Sequence, residues 1–234
     1  MIRFLRRFDP HRVRLLVFDL DGTLIDSRLD LMHSVNAMLR HIGRPDLDGD
    51  VIASYVGDGA PALVRRALEN TDDEALLRAA LEYFLAYYRL HKLDHTTVYE
   101  GIPETLAGLA NSSLANPSNG VQRKMAVLSN KPVNPSRLIV QALGLGDFFV
   151  CVYGGNSFTT KKPDPLGVRT ILQETGVAAD EALIIGDSSV DVLTGRNAGL
   201  WTCGVTYGFA PHTLEDAPPD VLIESPRELA ELLR

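Results

Sequence analysis

Two aspartates stand at the end of an apolar run near the start of the chain. Asp19 and Asp21 follow residues 13–18 and come just before Gly22. The run is rich in β-branched and large apolar residues, which is typical of a strand buried on both faces. Two carboxylates at the end of such a strand are costly to desolvate unless a cation compensates them, and a divalent metal ion is the simplest candidate. One carboxylate could then react as a nucleophile while the pair holds the cation, although an ordinary Asp-Gly turn also fits this segment.

Two further segments place groups suited to phosphate after the predicted strands. Ser129 and Asn130 follow the apolar run 125–128 and precede a helix, whose N-terminal N–H groups can bind phosphate together with the serine hydroxyl. Lys162 stands before two prolines and a helix, where it can hold a phosphate or orient a carboxylate. Taken singly, these segments also fit a capped polar turn and a solvated lysine pair.

A third segment adds two more carboxylates. Asp187 comes shortly after the apolar run 182–185, and Asp191 lies in the first turn of the next helix, where it also complements the helix dipole. Open parallel sheets bind ligands beyond the carboxyl ends of their strands. Four carboxylates, a hydroxyl and a lysine therefore meet at one edge of the predicted sheet. That combination is typical of a magnesium-supported phosphoryl-transfer centre.

The elements that must position these groups alternate between strands and helices. From Gly101 onward this alternation predicts a parallel sheet covered on both faces. Helical spacing of apolar residues before it predicts a helical insertion (residues 27–97) after the first strand. We therefore predict an α/β protein with a doubly wound, Rossmann-like core formed by residues 1–26 and 98–234. The strands predicted after the insertion are 125–128, 148–153, 182–185, 201–205 and 221–223, and the helices are 103–111, 135–144, 165–174, 190–198 and 226–233.

Composition and charge exclude several classes of protein. An apolar share of 45% and a mean hydropathy of +0.01 are ordinary for a globular chain that buries a core. A formal net charge of −7 argues against nucleic-acid binding, but a cleft can still attract an anionic substrate. No apolar run is long enough for a membrane span. Cys151 and Cys203 suit reduced thiols, so we expect a cytoplasmic protein that does not bind membranes, as a monomer or a homodimer.

Two segments fall outside this scheme. Residues 1–14 contain five arginines, and we expect a solvated basic extension there, because no hydrophobic core of a secretory signal follows. Residues 110–124 contain Asn-Ser and Ser-Asn pairs and a proline, which predicts a surface loop.

The polar segments together resemble the motifs of the haloacid dehalogenase superfamily of phosphohydrolases. The resemblance extends from about residue 13 to residue 233, and the order and spacing of the motifs agree. The helical insertion stands where some members carry a small α-helical cap. The four matching motifs are residues 19–24, Ser129 with Asn130, Lys162, and residues 186–191.

This resemblance implies a covalent mechanism. Asp19 would attack the phosphorus atom and form a phosphoaspartyl enzyme. Asp21 would protonate the leaving alcohol and then activate water for the second step. Asp21 must then start protonated; neighbouring carboxylates favour its protonated form, whereas the cation and Lys162 oppose it.

The resemblance also implies which groups surround the reacting phosphate. The phosphoryl oxygens would be neutralised by Ser129, the Asn130 amide and Lys162. The ligands of Mg²⁺ would be a carboxylate oxygen of Asp19, the backbone carbonyl of Asp21, the carboxylate of Asp187, and Asp191 directly or through water.

Within the superfamily, the chain most resembles the group of phosphoglycolate phosphatases. The likeness lies in residues 55–68, 94–99, 154–155 and 204–208, whereas Glu100, in place of a usual proline, departs from it. It implies a small phosphomonoester as substrate, with 2-phosphoglycolate expected first, and an insertion that closes over the leaving group. A glycine-rich loop and an arginine can bind a substrate carboxylate, although Arg65 fits a surface position equally well. The candidates for this contact are Gly57, Asp58, Gly59 and Arg65.

Other functions share parts of this pattern. A sugar-phosphate phosphatase or phosphomutase of the same superfamily would use the same motifs. A two-component receiver module also uses strand-end aspartates and Mg²⁺, but it would be shorter and would lack the insertion. A dehalogenase would not need Asp21, and a phosphonate hydrolase would need a reactive lysine in the insertion, for which Lys92 is a poor candidate.

Overall fold

A mostly parallel sheet forms the centre of the molecule. The computed structural model describes residues 1–7, 9–111 and 123–234. Its strands are β1 (Arg3–Phe4), β2 (Leu15–Phe18), β3 (Ile25–Asp26), β4 (Thr97–Val98), β5 (Lys124–Leu128), β6 (Cys151–Tyr153), β7 (Ala182–Gly186), β8 (Trp201–Val205) and β9 (Val221–Ile223). Seven of these described strands form one sheet in the order β1-β9-β8-β7-β2-β5-β6. All neighbours in it are parallel except β1 and β9.

Helices cover this sheet on both faces because the strands carry apolar residues on both. Leu16 and Phe18 of β2 belong to one cluster with residues of the helices Ile102–Asn111, Val133–Ala142 and Pro226–Leu232. Leu15 and Val17 belong to another cluster with residues of the helix Leu166–Thr175. Side chains alternate along a strand, so such a run is buried on both faces. The predicted doubly wound α/β fold is confirmed. The helices are α1 (Arg28–His41), α2 (Gly49–Ser54), α3 (Ala60–Ala67), α4 (Glu74–His91), α5 (Ile102–Asn111), α6 (Val133–Ala142), α7 (Leu166–Thr175), α8 (Ser189–Ala198) and α9 (Pro226–Leu232).

The helical insertion contains α1 to α4 and has a hydrophobic cluster of its own. Val35 and Met38 of α1 are buried in this cluster with Leu63 of α3 and Phe84 of α4, and Phe209 packs against it from the sheet side. Helix α2 was absent from the predicted elements, because its six residues are too few to show a helical period. The division of the chain into a core and a separate domain at 27–97 stays a prediction.

Two adjacent connections join the insertion to the sheet. Strands β3 and β4 pair antiparallel and carry the chain into and out of the insertion. The buried carboxylate of Asp30, in the first turn of α1, accepts hydrogen bonds from the backbone N–H groups of His95 at 3.0 Å and Thr96 at 2.8 Å. It also accepts one from the Thr96 hydroxyl at 2.7 Å. The exit connection is therefore fixed to the start of α1.

The arginine-rich start is not merely a solvated extension, so that prediction was wrong in part. Residues Arg3 and Phe4 form the edge strand β1 against β9, and Arg14 pairs with Glu181 at 3.2 Å. A strand of two exposed residues leaves no periodic signal in a sequence. The loop expected at 110–124 lies outside the described residues except at its ends, where Ala110 belongs to α5 and Lys124 begins β5.

Two predictions from composition can be compared with the described residues. None of their helices combines the length and the apolar character that a membrane span requires. Cys151 and Cys203 are both free thiols.

Replacement of Asp30 by alanine should destabilise the protein strongly. The change leaves buried donors of the exit connection without an acceptor, and we expect it to lower the free energy of unfolding by about 3 kcal/mol. Asp50→Ala removes an exposed carboxylate of the same insertion and should cost less than about 0.5 kcal/mol. Urea denaturation of both variants measures the difference, and equal losses would contradict the role assigned to Asp30.

Candidate active site

The carboxyl ends of three neighbouring strands bring the predicted residues together. Strand β2 lies between β5 and β7, and the strand order proceeds in opposite directions on its two sides, so a crevice opens at its carboxyl end. Phe18, the last residue of β2, is in register with Val127 of β5 and Ile185 of β7. The segments that follow these strands therefore meet at one edge of the sheet.

Three carboxylates form a buried cluster at this edge. One carboxylate oxygen from each of Asp19, Asp187 and Asp191 lies within 4.8 Å of the others, and all three residues are buried. The Lys162 side chain is only 2% exposed, and its ammonium group is 2.8 Å from Asp19 and 2.6 Å from Asp191. With all groups ionised, this cluster carries two more negative than positive charges, which is the charge that a divalent cation would balance.

Burial and the neighbouring charges shift the pKa values of the groups in this cluster. Burial, reinforced by the nearby carboxylates of Asp191 and Asp19, raises the pKa of Asp187 to about 7. Burial also raises the pKa of Asp19 to about 6, against the opposing effect of Lys162. Burial by itself would lower the pKa of Lys162, but the contacts with Asp19 and Asp191 raise it, so the lysine stays charged. The carboxylates of Asp19 and Asp187 therefore hold protons to a higher pH than free aspartates do, and a metal ion would compete with those protons.

Local backbone structure fixes the carboxylate of Asp187. One of its oxygens accepts hydrogen bonds from the N–H groups of Phe209 at 2.6 Å and Ala210 at 3.1 Å. Gly22 has a φ of +81°, and a Cβ atom there would lie 2.3 Å from the same oxygen. The residue after Asp21 must therefore be glycine both for the turn and for space. Oxygen donors held in such a confined cradle fit Mg²⁺ well.

Asp191 is fixed by the start of helix α8. Its carboxylate accepts hydrogen bonds from the Ser188 hydroxyl at 2.7 Å and from the Ser188 N–H at 3.3 Å, as part of a capping box. Its other oxygen faces Lys162. Helix capping and the charge cluster thus use opposite oxygens of one side chain.

The candidates for phosphate binding lie beside Asp19, and Asn130 also connects separate segments. The Asn130 side chain donates to the carbonyls of Gly57 at 2.9 Å and Lys162 at 3.1 Å, and it accepts from the Lys162 N–H at 2.9 Å. Ser129 and Asn130 line a cavity between the sheet edge and the insertion, together with Asp19. The Asn130 side chain therefore holds the backbone of Lys162 in place. Ser129 and Asn130 line the cavity, whereas Lys162 is not part of its lining and its ammonium lies 2.8 Å from Asp19.

Lys131 is a residue of this site that the sequence did not reveal. Its ammonium group lies 2.8 and 2.9 Å from the two oxygens of Asp21, and the Ser27 hydroxyl donates to one of them at 2.5 Å. Burial opposes the charge on Lys131, but Asp21 more than compensates and raises the pKa of this lysine. Its position directly after Ser129 and Asn130 was the available signal, but a lysine before a proline is equally typical of an exposed turn.

The helical insertion contributes mainly backbone and apolar side chains to the cavity. Of its four predicted contact residues, Gly57 and Gly59 line the cavity, whereas Asp58 and Arg65 do not. The Asp58 carboxylate pairs with Arg66, and the Arg65 guanidinium binds Glu74 at 2.7 Å and the Thr71 carbonyl at 3.1 Å. The apolar residues of the insertion that line the cavity are Leu31, Val56, Ala60, Leu63, Phe84, Leu85 and Tyr88.

Comparison with known proteins gives consistent matches over most of the chain. The model of the family described as haloacid dehalogenase-like hydrolase matches residues 16–205. A phosphoglycolate phosphatase of Pseudomonas putida is 38% identical over 223 residues, covering 92% of this chain and 78% of the relative. One from Chromobacterium violaceum is 35% identical over 226 residues, covering 95% and 97%. These matches confirm the resemblance that the four motifs indicated.

A solved structure supports the same relationship. The crystal structure of a "predicted phosphoglycolate phosphatase" from Haemophilus somnus superimposes with a TM-score of 0.84 at 26% identity, covering 95% of this chain and 99% of that one. The similarity therefore includes the helical insertion as well as the sheet.

Magnesium should stabilise the protein more at pH 8 than at pH 5.5. The pKa values of Asp19 and Asp187 are raised from the ordinary value of 3.8 to about 6 and about 7, so the metal-free fold loses stability progressively as pH rises from about 4 to about 7. Mg²⁺ replaces the protons and restores that stability. At 100 times its dissociation constant, it should raise the melting temperature at pH 8 by roughly 5–10 °C.

Differential scanning fluorimetry with and without Mg²⁺ measures this effect at both pH values. Asp187→Asn should abolish the gain in melting temperature, whereas Asp216→Asn, at an exposed position, should keep it. An equal gain at pH 5.5 and pH 8 would contradict the competition between protons and metal.

Proposed function

This chain belongs to the haloacid dehalogenase-like hydrolases and is a phosphatase, and we propose that it hydrolyses 2-phosphoglycolate with Mg²⁺ through a phosphoaspartate at Asp19. The observation that carries the covalent part is the position of Asp19 at the cavity, 2.8 Å from the ammonium of Lys162 and within the carboxylate cluster. The substrate is inferred from the relatives, which are named phosphoglycolate phosphatases.

In the first step of the proposed reaction, a carboxylate oxygen of Asp19 attacks the phosphorus atom. The bond from phosphorus to the ester oxygen breaks, and Asp21 gives a proton to the departing alcohol. Without substrate Asp21 pairs with Lys131 as a carboxylate, so the step requires that Asp21 takes up this proton when the anionic substrate binds. Lys162 and Ser129 donate to the phosphoryl oxygens, where negative charge accumulates. When bound, Mg²⁺ would be held by Asp19, Asp187 and Asp191, with the Asp21 carbonyl as a further ligand, and would screen the charge of the phosphoryl group.

In the second step, Asp21 removes a proton from a water molecule, and the water oxygen attacks the phosphorus of the phosphoaspartate. The bond between phosphorus and Asp19 breaks, which releases inorganic phosphate and restores the Asp19 carboxylate. Each proton that Asp21 gave in the first step is thus recovered in the second. All the groups named here come from one chain, so the proposal requires no second copy.

Two further features bear on the size of the substrate and on the place of the reaction. The wall that the insertion contributes is largely apolar and lines the same cavity as Asp19 and Asp21, which favours a short leaving group and the exclusion of water. The free thiols of Cys151 and Cys203 fit the reducing cytoplasm, where we place the reaction.

Asp19→Asn should fold and should lose turnover by roughly 10³-fold or more, because an amide does not form the covalent intermediate. Steady-state release of inorganic phosphate measures the loss, and circular dichroism checks the fold. Asp216→Asn, an exposed change of the same type, should retain full activity. Turnover of the Asp19 variant within tenfold of the parent would contradict the covalent mechanism.

A panel of phosphomonoesters tests the substrate. With Mg²⁺ present, 2-phosphoglycolate should give the highest kcat/KM among short phosphorylated acids, alcohols and sugars. A sugar phosphate that is better by a large factor would overturn the proposed substrate while leaving the phosphatase class intact. Phosphorus NMR distinguishes release of inorganic phosphate from transfer to a second hydroxyl, which a mutase would show.

A further inference from the structure

Lys131 is a buried cation that the chemistry at Asp19 does not use. Lys162 pairs with Asp19 and Asp191, whereas Lys131 pairs with Asp21 through both carboxylate oxygens. The Lys131 side chain is only 5% exposed. Burial of an ammonium group is costly unless the site repays it, and neither the metal ligands nor the phosphate contacts of the proposed function require a second lysine.

The helical insertion covers this lysine with an aromatic ring. The ammonium of Lys131 lies 4.7 Å from the ring centroid of Tyr88 in α4, and that ring stacks on Phe84 at 5.8 Å. The face of an aromatic ring attracts a cation, more so where water is excluded. Lys131 thus sits between the acidic residue of the sheet edge and the wall of the insertion.

Lys131 also lines the cavity that leads to Asp19. It is the single lysine or arginine among the described residues of the cavity lining. Arg65, the cation expected to meet the substrate, is engaged with Glu74 instead. Within this cavity lining, Lys131 is therefore the positively charged side chain that a negatively charged leaving group would contact.

We propose that Lys131 selects substrates whose leaving group carries a carboxylate close to the ester oxygen. This rests on the proposed function, in which Asp21 exchanges a proton with that oxygen. In 2-phosphoglycolate a single methylene separates the ester oxygen from the carboxylate. A residue that contacts Asp21 at 2.8 Å is thus well placed to contact the carboxylate too. An ammonium has three donors; Asp21 takes two of them, and the third would turn from the neighbouring Tyr88 side chain to the substrate carboxylate.

The physical basis of the selection is desolvation. A leaving-group carboxylate that enters a cavity with apolar walls loses its water and regains a charge-assisted hydrogen bond only from Lys131. An uncharged leaving group of the same size gains nothing from the lysine. A hydrogen bond between charged groups of this kind changes binding by about 10- to 100-fold.

The test compares 2-phosphoglycolate with ethyl phosphate, in which a methyl group replaces the carboxylate. We expect Lys131→Met to lower the ratio of kcat/KM for the two substrates by about 10- to 100-fold, mainly through KM for 2-phosphoglycolate. Lys131→Arg should keep part of the preference. Lys161→Met removes an exposed lysine that binds the Asp58 carbonyl outside this cavity, and it should leave the ratio unchanged. An equal loss on both substrates in Lys131→Met would overturn the proposal.

A second pair of variants avoids leaving the carboxylate of Asp21 buried without its partner. Asp21→Asn and the double variant Asp21→Asn with Lys131→Met are compared by calorimetric titration in Mg²⁺. The double variant should bind 2-phosphoglycolate about 10- to 100-fold more weakly, with no change for ethyl phosphate. Equal affinities of the two variants for 2-phosphoglycolate would overturn the selection by Lys131.

These outcomes separate the inference from the proposed function. If the parent enzyme prefers another carboxylate-bearing ester and Lys131→Met loses that preference, the substrate is wrong but the role of Lys131 stands. If the parent enzyme prefers 2-phosphoglycolate and the variant keeps that preference, the proposed function stands and the role of Lys131 is wrong.

Discussion

The ion pairs of Lys162 with Asp19 and Asp191 are the interaction on which the rest of the site depends. Each carboxylate belongs to a different element, the end of β2 and the first turn of α8, and both are buried with the lysine. Without the ammonium, the cluster would hold three carboxylates and no cation, so either the carboxylates would be protonated or the segments would separate. The hydrogen bonds of Asn130 hold the lysine loop in this position.

Two aspartates that are two residues apart acquire different surroundings from this arrangement. Asp19 faces a cluster with excess negative charge, whereas Asp21 forms a balanced pair with Lys131 and accepts from the Ser27 hydroxyl. A cation would be drawn to the first environment and has little electrostatic reason to contact the side chain in the second. This difference keeps the Asp21 side chain apart from the metal cluster, which suits the proton-accepting role that the proposed second step gives it. It arises because Lys131 and Lys162 approach from different segments.

The fold and the acidic cluster could be predicted because both follow from rules about strands. The apolar runs in the sequence indicate where the strands lie. Neighbouring parallel strands have their carboxyl ends at the same edge of the sheet, so Asp19 and Asp187 were expected to lie together. The partner of a long side chain follows no such rule. The packing of the insertion helices places Arg65 beside Glu74. The turn after β5 places Lys131 beside Asp21. The edge strand β1 escaped prediction because its two residues show no pattern.

The insertion contacts the site through backbone carbonyls and apolar or aromatic side chains. The Gly57 carbonyl accepts a hydrogen bond from Asn130, and the Tyr88 ring covers Lys131. The charged residues Asp58 and Arg65 each form an ion pair with another residue of the insertion, Arg66 and Glu74 respectively. The charge of a substrate would then be recognised by the sheet edge, and its size by the insertion. With this division of roles, substitutions in the insertion would change the size of the accepted leaving group without changing the preference for a negative charge proposed for Lys131.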